Sequence, residues 1–191
     1  MRPIRSLLTR WRHYWLSRRL GSLGLYSRIT RPEMIVGGER IFIGDRVRIL
    51  PHARIECITG APYNGTITIG EGTSAQLYFH CASAVSVTIG KRVLIAGRVY
   101  ISDHDHAWPE GGSALVTAPV VVGDRCWLGE GCAILKGVTL GEGCVVGANA
   151  VVTRSAPPWS MLVGVPARIK ARYDQPSGRW MPASEPEQLG G

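Results

Sequence analysis

The chain has 191 residues, 45% of them hydrophobic, with 24 Gly but only two Phe, and carries a formal net charge of +8. That length fits one domain with short appendages, and no apolar run is long enough to span a bilayer. Residues 1–31 hold eight Arg and no acid, while the remainder has 14 basic and 14 acidic residues, so the basicity is local and argues against a nucleic-acid surface. Five Cys are present without a Cys-x-x-Cys pair, so a structural zinc site is not expected. Free thiols and the lack of an apolar signal-peptide core predict a reducing, cytoplasmic setting.

Residues 3–20 predict an amphipathic helix. Ile4, Leu7, Leu8, Trp11 and Trp15 recur at helical spacing, with Arg2, Arg5 and Arg12 to the side or opposite. Such a helix either caps the open end of a β-structure or lies in a membrane interface, with Trp at headgroup depth and Arg on anionic lipid. Arg18 and Arg19 fall on the apolar side and must snorkel in either case.

From near Met34 a six-residue period sets in. Ile43, Ile49 and Ile55 are in phase, and a Gly/Pro/Asn-rich stretch from Cys57 to Thr66 predicts a protruding turn. Phase resumes at Ile69, Ala75 and Cys81, slips by two residues, and resumes at Ile89, Ile95 and Ile101. After about twenty residues without the period, it runs unbroken through Val122, Leu128, Ile134, Leu140, Val146 and Val152. In this last run the second position is usually Gly, and the fifth is small or apolar: Cys126, Cys132, Val138, Cys144, Ala150. A period of six fits neither a helix nor a plain strand. It fits short strands joined by sharp bends, stacked as a solenoid, with the openers, the fifth-position Cys and Cys81 packed inward. Pro157 and Pro158 are expected to end the winding. The tail from Pro176, rich in Pro, Gly, Ser and Glu, is expected to be loose, with Trp180 pinning part of it.

The interruption after Ile101 reads Ser102-Asp-His-Asp-His-Ala-Trp108, then Pro109 and Gly111-Gly112. A solenoid that suspends its repeat extrudes a loop, and such loops carry function. His13, His52 and His80 read as surface or structural residues. His104 and His106, flanked by Asp103 and Asp105, are candidates for proton abstraction, since imidazole titrates nearest neutrality and a carboxylate can orient the ring.

The hexads, Tyr100-Ile-Ser-Asp-His-Asp-His, Val121-Val-Gly-Asp-Arg-Cys-Trp-Leu-Gly-Glu and Val163-Gly-Val-Pro-Ala-Arg together resemble the hexapeptide-repeat acyltransferases. The likeness is to their sugar O-acetyltransferase branch, acting in lipopolysaccharide and exopolysaccharide synthesis, and covers about residues 27–175. It implies an all-β, left-handed parallel β-helix at residues 32–173, behind a basic segment (1–31) and ahead of a tail (174–191). By the same resemblance loop 102–120 supplies the general base, His104, with His106 aiding the acceptor and Asp103 beside it. Acetyl-CoA is the implied co-substrate, without a metal. An oxyanion donor is implied near Trp127-Leu128-Gly129, where Glu130 replaces a Ser of relatives. Gly129, Gly147 and Ala148 match positions along the pantetheine arm, and Thr153, Arg154, Arg168 and Lys170 match positions near the nucleotide phosphates. A homotrimer with sites between chains, a sugar or lipid-linked glycan acceptor and no nucleic-acid partner complete the expectation. Two other functions use the same helix: a non-catalytic trimeric scaffold, and a γ-class carbonic anhydrase with a metal on His80, His104 and His106.

Overall fold

The computed structural model describes residues 14–109 and 114–183. The strands are two to four residues long through most of the chain and stack into three parallel sheets, one per face of a triangular rod. The first face stacks Ser22–Leu23, Ile41–Ile43, Ile67–Ile69, Val87–Ile89, Val120–Val122 and Thr139–Leu140. The second begins Arg28–Ile29, Arg48–Ile49, Ser74–Ala75, Leu94–Ile95, Trp127–Leu128 and Val145–Val146. The third stacks Met34–Val36, Arg54–Cys57, His80–Ser83, Tyr100–Ser102, Ala133–Ile134 and Val151–Val152.

The register explains the period. Ile43 pairs with Ile69, Ile49 with Ala75 and Ile55 with Cys81, so each opener sits on the opener of the adjoining coil. Ile43, Ile69, Ile89, Val122 and Leu140 are all at most 2% exposed. The fifth positions fill the corners: Val47, Val93, Cys126 and Cys144 are buried, and Thr73 satisfies its hydroxyl by donating to Gly90 O at 2.8 Å. All five cysteines are free and buried. The third position has its own task at the first corner, where Asp45 accepts the Leu25 N–H and Asp124 accepts the Lys91 N–H of the preceding coil. The backbone donors of Leu25 and Lys91 at those two bends are thereby satisfied.

Two expectations about extent are corrected. The winding does not start near Met34, and a boundary at residue 32 cuts through its first coil. Ser22–Leu23 pairs with Phe42–Ile43, Arg28–Ile29 with Arg48–Ile49, and Met34–Val36 with Arg54–Glu56. Leu23, Ile29 and Ile35 are hexad openers, masked in the sequence by the Arg and Tyr residues on the outward positions between them. Nor do Pro157 and Pro158 end the rod. Ala156 bridges Leu140, the prolines turn the corner, and Ser160–Gly164 adds a further parallel strand to the second face. The chain then folds back antiparallel as Ala167–Asp174 and again as Arg179–Pro182, where Trp180 packs on Tyr173.

Of the N-terminal helix, Tyr14–Ser17 is helical, Leu16 packs against the core and Leu20 is buried. Residues 18–20 form a turn rather than a continuation of that predicted helix, and its residues 3–13, with His13, lie outside the described residues, as do Gly111 and Gly112.

Candidate active site

Two excursions leave the third face. After Cys57 the chain forms a small hairpin, Thr59–Gly60 with Tyr63–Asn64. After Ser102 it forms a longer one, His104–His106 with Leu115–Thr117, within the stretch where the period stops. They touch: the Leu115 N–H donates to the Tyr63 hydroxyl.

At the root of the longer hairpin is Asp103, wholly buried. Its Oδ2 accepts from Ser83 Oγ and Val85 N–H, each at 2.8 Å, and its Oδ1 accepts the Ala84 N–H at 2.7 Å. The fourth partner is His104 Nδ1, 2.9 Å from Oδ1. A carboxylate only accepts, so the proton of this contact sits on Nδ1 and the basic lone pair is on Nε2. The imidazole is 12% exposed. Its backbone is pinned by Ser102, whose Oγ lies 2.9 Å from His104 O and 3.2 Å from His104 N. The donors on Asp103 come from the segment where the hexad phase slips by two residues, between Cys81 and Ile89. The extra residues there turn the Ala84 and Val85 N–H groups toward the next coil. That slip was the sequence sign of the cradle, and Ser83, Ala84 and Val85 were missed.

His106 is exposed on the hairpin opposite Leu115, and Asp105 pairs with Lys136, tying the hairpin to the rod. His80 belongs to the face below. It lies in register between Arg54 and Tyr100, bonds Glu56 at 3.1 Å and meets the Tyr100 ring edge-on at 5.0 Å. Burial first, then Arg54, lower its pKa from 6.5, against Glu56. His80 and His104 bond to different carboxylates, Glu56 and Asp103, although His104 is near enough to add to the lowering of the His80 pKa. Among the described residues no three His, Cys, Asp or Glu side chains group as metal ligands.

The residues matched to oxyanion and coenzyme roles divide into two sets. Trp127, Gly129, Glu130, Gly147 and Ala148 lie on the second face or on its bend ahead of the third-face strands Ala133–Ile134 and Val151–Val152. Arg168, opposite Val163 in the returning strand, and Lys170 further along it belong to the second face also. His104, Thr153 and Arg154 instead follow third-face strands, at the other edge of that face. One chain therefore does not gather them around one point. The N–H groups of Trp127 and Gly129 are both used in the coil ladder, donating to Cys144 O and Val146 O at 2.8 Å. Gly129 is small because its own rod requires it: a Cβ there would lie 2.7 Å from Ala148 N. Ala148, Thr153 and Arg154 are exposed.

The triangular parallel β-helix has counterparts among known proteins. The family described as hexapeptide repeat of succinyl-transferase matches residues 119–154. The chain is 38% identical over 128 residues to the putative lipopolysaccharide biosynthesis O-acetyl transferase WbbJ of Escherichia coli K12, covering 61% of this chain and 65% of that one. It is 32% identical over 133 residues to the putative colanic acid biosynthesis acetyltransferase WcaF of the same organism, covering 66% of each. The matches thus span just under two thirds of those relatives' lengths. Among solved structures, the hexapeptide-repeat acetyltransferase VCA0836 of Vibrio cholerae superposes with a TM-score of 0.61 at 24% identity, over 87% of this chain and 82% of that one. The chain is similar in sequence to O-acetyltransferases named for lipopolysaccharide and colanic acid biosynthesis, and its fold is that of the hexapeptide-repeat acetyltransferases.

Proposed function

We propose that this protein transfers acetyl from acetyl-CoA to a hydroxyl of a sugar, in a glycan or lipid-linked saccharide such as lipopolysaccharide, capsule or exopolysaccharide. The observation that carries the reading is the buried Asp103 with three protein donors and His104 Nδ1 on its oxygens. His104 Nε2 takes the proton of the acceptor hydroxyl as that oxygen attacks the thioester carbonyl directly. Asp103 holds the ring's tautomer and orientation and stabilises the imidazolium that forms. The carbonyl oxygen needs a preset donor. The Trp127–Gly129 turn supplies it through the Glu130 N–H, which has no acceptor among the described residues, unlike its two neighbours. The coenzyme lies along the C-terminal coils past Gly147 and Ala148, its phosphates facing Thr153, Arg154, Arg168 and Lys170. His106, exposed on the same hairpin, helps hold the acceptor.

The chain works as a homotrimer. Support for this comes from the division of the site: a neighbouring copy would set the His104 edge of one chain against the Glu130 and Ala148 edge of another. Vibrio cholerae VCA0836 has been crystallised with acetyl coenzyme A, which supports the choice of co-substrate. Among the described residues no helix is long and apolar enough to cross a membrane. The protein acts in the cytoplasm, in peripheral contact with the membrane through its N-terminal segment.

The test is acetyl-CoA turnover against a panel of nucleotide sugars, lipid-linked oligosaccharides and small drugs. Acetylation of a sugar hydroxyl is expected. Trimers that neither bind nor hydrolyse acetyl-CoA would make the protein a scaffold instead.

A further inference from the structure

The first coil differs from those stacked on it. Along the rod, three corner cations are matched by an acid of the adjoining coil: Arg46 by Glu71, Arg98 by Glu130 and Arg125 by Glu142. At the first corner of the first coil the exposed residues are instead Leu25 and Tyr26, 70% and 86% exposed. Tyr26 holds a positive φ, 61°, as Arg46, Arg92, Arg125 and Trp159 do at the same corner of later coils, so what sets it apart is its exposed aromatic ring beside Leu25 rather than its backbone. On the adjacent second face Arg28 stacks in register on Arg48, both exposed, and among the described residues neither has a carboxylate partner. Like charges directly opposite destabilise a sheet unless an anion lies between them. Arg18, Arg19 and Arg31 are exposed at the same end, with Tyr14 and Trp15 each 55% exposed. Of the acids nearby, Asp45 accepts the Leu25 N–H, Glu71 pairs with Arg46, and Glu33 and Glu39 line a cavity with Arg19 at the edge of the third face; none of them pairs with Arg28 or Arg48.

We propose that this first coil is a docking surface for an anionic lipid bilayer, with Leu25 and Tyr26 entering the headgroup boundary and Arg28 and Arg48 meeting lipid phosphates. Aromatic residues beside arginines match the two forces that hold a protein at such a surface. A free phosphate would account for the arginines but not for the exposed Leu25 and Tyr26. A nucleic-acid backbone needs a longer basic track, yet the column above Arg48 continues as Ser74, Leu94 and Trp127. The assignment deepens the peripheral contact proposed above by placing lipid-binding groups on the rod itself, and it does not depend on the acetyl-transfer reaction.

The experiment is co-sedimentation of the full chain with phosphatidylcholine vesicles, plain or doped with phosphatidylglycerol. Binding is expected to the doped vesicles only, and to weaken with salt. Arg28→Gln with Arg48→Gln should lower the partition about thirtyfold, from roughly fivefold for each surface arginine. Leu25→Ser with Tyr26→Asn should weaken binding and leave its salt dependence intact. Equal binding to plain vesicles, or an unchanged partition in the double arginine variant, overturns the proposal. So does retention on a short DNA duplex that the arginine substitutions abolish while vesicles are ignored. Wild-type melting and wild-type turnover of a soluble acceptor by the arginine variant separate a failure here from misfolding and from failure of the transferase reading.

Discussion

His104 and Asp103 are neighbours in sequence, yet the carboxylate acts as a fixed part of the rod because three of its four partners come from the coil before it. A base held this way has its tautomer settled before any acceptor arrives. His104→Ala should lower kcat by on the order of 10² to 10⁴ while leaving coenzyme affinity nearly unchanged. His106→Ala should raise the KM for acceptor and spare most of kcat. The opposite pattern in steady-state kinetics would transfer the role of base to His106. His80 gives a second, independent expectation. Its pKa is lowered by burial and by Arg54, so the folded chain binds fewer protons than the unfolded chain in the window just below pH 6.5. Stability should therefore rise with pH through that window and fall on acidification. In His80→Gln this part of the pH dependence should vanish from thermal melts; an unchanged slope would assign it to other groups. Cys57 and Cys132 take no such part. Burial pushes the Cys57 thiol up to about 11 and the Cys132 thiol to about 12, as suits inert packing.

At the level of the elements, each coil is held by close contact with its neighbours, and glycines mark where backbones meet. A Cβ on Gly129 would lie 2.7 Å from Ala148 N and from Val146 O, both rigid backbone. One on Gly97 would meet the carboxylate of Glu130, at 3.2 Å, the far end of a flexible, exposed side chain that pairs with Arg98 and can shift with it. Gly129→Ala should thus cost about 1–3 kcal/mol and Gly97→Ala clearly less, read from denaturant melts. Equal losses would mean that the stacking is looser than the register implies. The hairpin of His104–His106 and Leu115–Thr117 is anchored away from its root by the Asp105–Lys136 pair and by Tyr63. Its base is thereby fixed against the rod where the imidazole must be held. Both excursions show in the sequence as lost phase, and their contact with each other does not.

For the whole molecule, the division of candidate residues between the two edges of the third face leads to a mixing experiment. His104→Ala removes one edge's contribution, and Ala148→Trp obstructs the other, exposed one. Each variant alone should be inactive. Trimers assembled from both should regain part of the wild-type turnover, because some sites then pair an intact His104 edge with an intact Ala148 edge. No recovery in verified mixed trimers would mean that the site is completed within one chain.

Inside and outside were legible from the residues alone. A coil turns its openers and fifth positions inward by local geometry, so the period, the burial of Cys81, Cys126, Cys132 and Cys144 and both interruptions could be read without coordinates, whereas Cys57, read as the start of a protruding turn, proved buried. The first coil escaped notice because its outward Arg and Tyr residues resemble a continuation of the basic helix, although Leu23, Ile29 and Ile35 keep the count. Only the tertiary structure decided which groups surround Asp103, since Ser83, Ala84 and Val85 reach it through stacking of coils twenty residues or so apart. It alone also decided that the Gly129 N–H is spent within the rod and that the two sets of candidate residues stand at opposite edges of a face. Distances between coils depend on how slips and loops add up along the chain, and no local pattern carries that sum.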